Sequence, residues 1–140
     1  MDLGQLVAAG LIQKVGPAKD LAEKEFKEAD YDIGHAREAL EAKNHKWAIV
    51  EAYYAVFHSA KGIMFLMGYR EKSHFAVGEY LSTLSRDGKL ESRYVNDFKA
   101  AMSARQAADY DYDYSREKAE AVVSLAEEFL DRMEALRTKM

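Results

Sequence analysis

Apolar residues recur at alternating spacings of three and four along most of the chain. This period is that of amphipathic helices with one face on a core. It predicts helices over about 17–43, 45–69, 74–86 and 91–111, and a last helix that begins after Ser115. No segment shows a useful length of the alternating pattern that indicates a strand. We therefore predict an all-α fold, an antiparallel up-and-down bundle of four to five helices.

Residues that favour helix ends support these boundaries. Gly16-Pro17 suits a helix start, because proline is pre-organised for the first helical position. Ser73 is a suitable N-cap and Gly68 a suitable C-cap. We expect residues 1–140 to form one helical domain, in which 1–15 are an accessory N-terminal segment with a short helix.

The helix predicted over 45–69 is apolar on most of its surface and polar only along Glu51, Tyr54, His58 and Lys61. A helix of this kind lies at the centre of a bundle. Its apolar surface exceeds what one bundle of this length needs, which predicts a homodimer.

Composition excludes several classes of protein. The absence of cysteine excludes disulfides, thiolate zinc sites and a cysteine nucleophile. The net charge of -4 argues against a general nucleic-acid coat protein. There is no targeting signal and no uninterrupted apolar stretch long enough for a membrane span, so we expect a cytoplasmic protein. The sequence motifs of P-loops, dinucleotide folds, nucleophile elbows and zinc proteases are missing, and no cofactor is predicted.

Charge is distributed unevenly along the chain. Residues 61–105 carry eight basic and five acidic side chains, whereas both flanking regions are net negative. If an anionic ligand binds, the middle region is the better candidate. A chance distribution over a solvated surface would look the same.

Arg105 is the first candidate functional residue. It lies seven positions after Phe98 and three after Met102, on the stripe predicted to face inward, and Tyr112 follows seven positions later. A buried guanidinium needs a partner or a ligand. Its partner could be Asp109, four residues on, and its ligand a phosphate bound through both arms of the fork. Both interpretations stay open here.

A second candidate is the sequence Lys72-Ser73-His74 at the start of a predicted helix. Free N–H groups and the helix dipole favour anions at such a position, and these side chains would add donors for a phosphate. The simpler interpretation is an ordinary cap with a solvated lysine.

No metal site is predicted. The run from Asp109 to Tyr114 imitates the start of a calcium loop, but its sixth place holds Tyr114 where glycine is needed. A di-metal bundle needs two Glu-x-x-His pairs on facing helices. Only Glu71 with His74 fits, at a loop, and Asp32 with His35 is a weak second, so a di-metal bundle is rejected.

Several segments together resemble the HEPN domain (higher eukaryotes and prokaryotes nucleotide-binding). They are 29–42, 45–48, 53–61, Gly68-Tyr69, Lys72-Ser73-His74, 105–110 and 126–129. The resemblance covers nearly the whole chain and rests on the order and spacing of motifs that are weak individually.

The resemblance implies a helical bundle that usually dimerises and is often encoded beside a minimal nucleotidyltransferase as a toxin–antitoxin pair. Many members are metal-independent endoribonucleases whose site combines an arginine, an adjacent polar residue and a histidine a few residues on. Arg105 and Gln106 match the first two, but Tyr110 stands in the histidine position. No histidine follows His74 in the chain, and His74 or His58 could substitute for it in space.

We therefore predict a HEPN-family homodimer that binds RNA or a nucleotide and acts as the toxin-like partner of a minimal nucleotidyltransferase. In this hypothesis, phosphate binds to Lys72, Ser73, His74 and Arg105, with Gln106 and Tyr110 in the remaining catalytic positions and His58, Asp109 and Tyr112 in support. If cleavage occurs, a ribose 2′-OH attacks the neighbouring phosphate without a metal.

Two alternatives remain open at this point. In the first, the chain is a non-catalytic dimeric interaction module in which Arg105 pairs with Asp109 and the Tyr110/Tyr112 face is buried. In the second, a tyrosine of residues 110–114 accepts a nucleotidyl group from the partner.

Overall fold

A computed structural model describes all 140 residues of the chain as six helices and one small sheet. In chain order the elements are α1 (Leu3–Ala8), β1 (Ile12–Lys14), α2 (Lys19–Glu41), α3 (His45–Met67), β2 (Tyr69–Glu71), α4 (His74–Arg86), α5 (Ser92–Tyr110) and α6 (Arg116–Arg137). The predicted all-α fold is thus confirmed. No helix in the structure combines the length and the apolar character that a membrane crossing needs.

Helix α3 lies at the centre of the bundle, as its sequence predicts. It contacts α2, α4, α5 and α6, and 14 of its 23 residues are buried. The short connection over residues 42–44 places α2 antiparallel beside it. A central helix of this kind can contact several neighbouring helices at once. The candidate site described below lies where side chains of α4 and α5 meet α3.

Cap chemistry sets the helix ends close to the predicted positions. The Ser73 hydroxyl accepts a hydrogen bond from the Ala76 amide at 3.1 Å, and the Ser115 hydroxyl accepts one from the Lys118 amide at 3.1 Å. Gly68 ends α3 with a φ of 91°, a left-handed conformation that costs glycine little.

The structure adds one element that the sequence pattern does not show, a small two-stranded sheet. Strands β1 and β2 pair antiparallel, with Ile12 opposite Glu71 and Lys14 opposite Tyr69. Three residues are too few to show an alternating pattern, and the partners lie far apart in sequence. Beyond the sheet, the Lys72 amide donates to the Leu11 carbonyl at 3.0 Å. The N-terminal segment therefore holds the chain in place just before α4 begins.

Helices α2 and α3 approach closely at Gly62. A Cβ atom at this position would lie 2.7 Å from the ring of Phe26, which is buried on α2. The absent side chain therefore sets the spacing of the two helices.

Candidate phosphate-binding site

Arg105 on α5 and His74 at the start of α4 contact the same two tyrosines of α3. The guanidinium carbon of Arg105 lies 5.2 Å from the ring centre of Tyr53 and 6.0 Å from that of Tyr54. The ring centre of His74 lies 5.7 Å from that of Tyr53 and 6.1 Å from that of Tyr54. Packing of three helices thus brings together two candidates that are remote in sequence.

Two contacts fix the His74 imidazole. Its ring stacks on Phe57, with a centre distance of 4.1 Å and an interplanar angle of 11°. Its Nδ1 lies 2.6 Å from the hydroxyl oxygen of Tyr53, which has no other hydrogen-bond partner in the structure. Burial raises the pKa of Tyr53 well above its usual 10.0, so the hydroxyl keeps its proton. Because a buried donor needs an acceptor, we infer that Tyr53 donates to Nδ1.

This hydrogen bond determines what His74 can do. Burial lowers the pKa of His74 below its usual 6.5, and the positive charge of Arg105 lowers it further. The imidazole is therefore neutral near pH 7, and with Nδ1 accepting from Tyr53 its proton lies on Nε2. In this state His74 is a hydrogen-bond donor through Nε2–H.

The guanidinium of Arg105 is only weakly paired within the chain. Its Nη1 lies 3.4 Å from Oδ2 of Asp109, one helical turn on, and the Arg105 side chain is 16% exposed. Its Nε is buried without a hydrogen-bond partner. The pairing expected from the spacing therefore exists, but it leaves most of the donors of the fork unused.

The site is an open surface. Neither Arg105 nor His74 lines any cavity of the molecule. Phe75, next to His74, is 55% exposed, and Tyr110, next to Asp109, is 74% exposed. Aromatic rings in contact with water thus follow His74 directly and Arg105 five residues on, at the end of α5.

Comparison with known proteins places the chain in a family. The sequence model of the HEPN domain matches residues 22–136. The chain belongs to the HEPN family. A protein of Methanocaldococcus jannaschii with the name "Putative toxin MJ0605" is 31% identical over 107 residues, which are 75% of this chain and 80% of that protein.

A solved structure has the same fold. The TT1696 protein of Thermus thermophilus matches with a TM-score of 0.69, over 82% of this chain and 97% of that one. The identity between the two sequences is 21%, so the likeness concerns the HEPN fold alone.

The remaining predicted residues lie at the edge of the Arg105–His74 surface or outside it. Ser73 is the N-cap of α4, and Lys72 and Gln106 are exposed. Tyr112 was wrongly placed on the inward stripe: α5 ends at Tyr110, and Tyr112 has a φ of 54° and is 74% exposed. The helical period cannot be extended past the end of the helix.

His58 lies in a second polar cluster, between α2 and α3. Its Nδ1 is 2.6 Å from Oε2 of Glu25, and its Nε2 is 3.8 Å from Oδ2 of Asp32. Burial raises the pKa of Asp32 to about 6, and the nearby charge of Glu28 contributes. The polar edge of α3 is visible in the sequence, but its partners on α2 were missed because they alternate with core residues.

The same cluster is linked to the site through Tyr54. The Tyr54 ring centre lies 6.3 Å from that of His58 and 6.1 Å from that of His74. His58 is thus a neighbour of the Arg105–His74 surface, separated from it by an aromatic ring.

Proposed function

We propose that this HEPN protein binds single-stranded RNA through its phosphate backbone at the surface formed by Arg105 and His74. The observation that carries the proposal is the contact of both side chains with Tyr53 and Tyr54. A permanent cation and a neutral N–H donor thus have the same two aromatic neighbours, which supports joint binding of one anion.

The donors suit a phosphate. A guanidinium fork can hold two oxygens of one phosphate, and its charge does not depend on pH. His74 is the first residue of α4, a helix of 13 residues. The N–H groups of the first turn and the positive end of the helix dipole therefore lie close to His74, where they also favour an anion. Lys72 is exposed next to them and adds a mobile positive charge.

The open shape of the site favours a polymer over a free nucleotide. Small ligands bind in cavities that cover most of their surface, and no such cavity includes Arg105. An RNA backbone needs only a charged surface, and the exposed rings of Phe75 and Tyr110 can stack on unpaired bases.

The proposal concerns binding, and cleavage is not part of it. Attack by a ribose 2′-OH on the neighbouring phosphate requires a base that removes the hydroxyl proton. His74 has its proton on Nε2, and its Nδ1 accepts the hydrogen bond from the Tyr53 hydroxyl. Neither nitrogen is therefore free to accept the proton of the 2′-OH. We expect no cleavage of RNA by this chain in excess EDTA.

A toxin-like role and its partners belong to the proposal as well. The relative from M. jannaschii is named as a toxin, which supports a toxin-like role for this chain. A homodimer and a cognate minimal nucleotidyltransferase as antitoxin are what the family resemblance implies. RNA binding by the toxin-like protein would then be the property that such a partner controls.

The 3.4 Å contact between Arg105 and Asp109 favours one other function, the interaction module. In that case Arg105 is structural, and Arg105→Ala lowers the melting temperature without changing RNA affinity. The two functions are therefore separated by one variant.

Fluorescence anisotropy with a labelled single-stranded RNA tests the proposal. Arg105→Ala should weaken binding and reduce the salt dependence by about one phosphate contact. Arg116→Ala is the matched control, since Arg116 also faces a carboxylate four residues on, Glu120, but lies on the surface of α6. Equal affinity of wild type and Arg105→Ala would contradict the proposal.

A further inference from the structure

Three potential metal ligands from two helices lie together beside the candidate site. One carboxylate oxygen each of Glu28 and Asp32 and one ring nitrogen of His58 all lie within 4.8 Å of one another. Glu28 and Asp32 are one helical turn apart on α2, and His58 faces them from α3. This arrangement joins the two helices by side chains that bind divalent metals.

The hydrogen bonds of His58 leave one nitrogen for a ligand. Its Nδ1 is 2.6 Å from Glu25, so the proton of a neutral imidazole lies between these two atoms. The Nε2 atom then faces Oδ2 of Asp32 at 3.8 Å, which is too long for a direct hydrogen bond. This nitrogen has no hydrogen-bond partner within the chain, so it can bind a ligand placed between the two side chains.

The spacing fits a metal ion in that position. With bond lengths of roughly 2.0–2.2 Å, two ligand atoms on one zinc ion lie about 3.0–3.6 Å apart. A shift of a few tenths of an ångström brings Nε2 and Oδ2 into this range. A metal-bound histidine usually hydrogen-bonds a carboxylate through its other ring nitrogen, and this bond holds the ring in place. The contact between Nδ1 of His58 and Glu25 is of this kind.

The Lys61 ammonium group pairs with other carboxylates and not with these ligands. Lys61 lies 3.6 Å from Glu25 and 3.3 Å from Glu71, on the other side of His58 along α3. Glu28 is exposed and makes no hydrogen bond or ion pair, and Oε2 of Glu51 is buried without a hydrogen-bond partner. The end of the cluster next to Asp32 therefore has an excess of negative charge.

We propose that Glu28, Asp32 and His58 bind one divalent transition-metal ion, with Zn²⁺ as the best match. One imidazole and two carboxylates suit zinc, and the remaining coordination positions are left to water. The ion joins α2 to α3, the two helices that also meet at Gly62 and Phe26. The proposal rests on this geometry alone and is independent of RNA binding.

Isothermal titration calorimetry of the EDTA-treated, dialysed protein with ZnCl₂ tests the site. We expect one ion per chain and a higher melting temperature when zinc is added. Glu28→Gln and Asp32→Asn should each weaken binding at least about tenfold. Glu28→Gln is the cleaner variant, because the exposed Glu28 side chain has no partner whose loss would affect folding.

A matched control uses the other histidine of this region. His35 lies on α2, three residues after Asp32, and its side chain is 45% exposed. His35→Ala should bind zinc as the wild type does. The proposal is overturned if the wild type binds no zinc, if neither carboxylate variant weakens binding, or if binding is lost only in His35→Ala.

Discussion

The hydroxyl oxygen of Tyr53 lies 2.6 Å from Nδ1 of His74 and joins the middle of α3 to the first residue of α4. Tyr53 is completely buried, whereas His74 is half-buried at the edge of the open surface. This hydrogen bond therefore fixes the His74 side chain, which can contact a ligand, to the rigid core. It also favours the neutral imidazole with its proton on Nε2.

Tyr53→Phe should raise the pKa of His74. The donated hydrogen bond favours the neutral imidazole, so its loss makes protonation easier. The free energy of unfolding should fall by about 1 kcal/mol, the usual value for one lost hydrogen bond. An NMR titration of the His74 ring measures the pKa. Tyr80→Phe, at an equally buried tyrosine of α4, is the control, and an unchanged pKa in Tyr53→Phe would contradict the assignment.

Arg105→Ala should also raise the pKa of His74, because the positive charge of Arg105 disfavours protonation of the ring. Arg105→Lys keeps the charge and should leave the pKa lowered. The same lysine variant should bind RNA less well, since an ammonium group does not reproduce the fork. The NMR titration and the anisotropy assay together separate charge from geometry. If lysine restored full RNA affinity, the bidentate contact would be ruled out.

Acidification should reduce stability through His74. Burial is the largest cause of its lowered pKa, and the charges of Arg105, His58 and Lys61 add to it while Glu71 opposes them. Below its usual 6.5 the unfolded chain binds a proton that the folded chain does not, so the free energy of unfolding falls as the pH decreases.

Urea unfolding of wild type and His74→Gln across this pH range checks the effect. The stability of the wild type relative to the variant should decline as the pH falls through 6.5 toward the folded-state pKa. A constant difference between the two proteins would show that His74 titrates alike in the folded and unfolded states.

Two glycine substitutions should have opposite effects. Gly62→Ala places a methyl group 2.7 Å from the Phe26 ring and should cost about 1–3 kcal/mol of stability. Gly34→Ala, inside α2, meets no atom within 4 Å and should add roughly 0.4–1 kcal/mol. Thermal and urea unfolding measure both, and a stable Gly62→Ala would mean that α2 and α3 can move apart without loss.

Helix positions could be predicted from the sequence because they depend on local chemistry. The caps at Ser73 and Ser115 and the left-handed Gly68 act within a few residues, and the apolar period identifies the buried faces. The pairing of β1 with β2 depends on segments far apart, and three residues carry no periodic signal. It was therefore missed.

The candidate site was predicted only as separate parts. Arg105 and His74 were each singled out by charge and position, but nothing in the order of residues says that α4 and α5 meet on the same face of α3. Tyr53 is completely buried in the central helix. Its second role, as the hydrogen-bond partner of His74, depends on a contact across 21 positions that no periodicity reveals.

A proton–nitrogen NMR titration of the Arg105 and His74 side chains tests whether the two residues bind RNA phosphate together. On addition of a short single-stranded RNA, the Nε–H signal of Arg105 and the ring signals of His74 should shift together and saturate. The Nε–H signal of Arg116, which pairs with Glu120 on the surface of α6, should stay in place. Unmoved Arg105 and His74 signals in the presence of bound RNA would contradict the account.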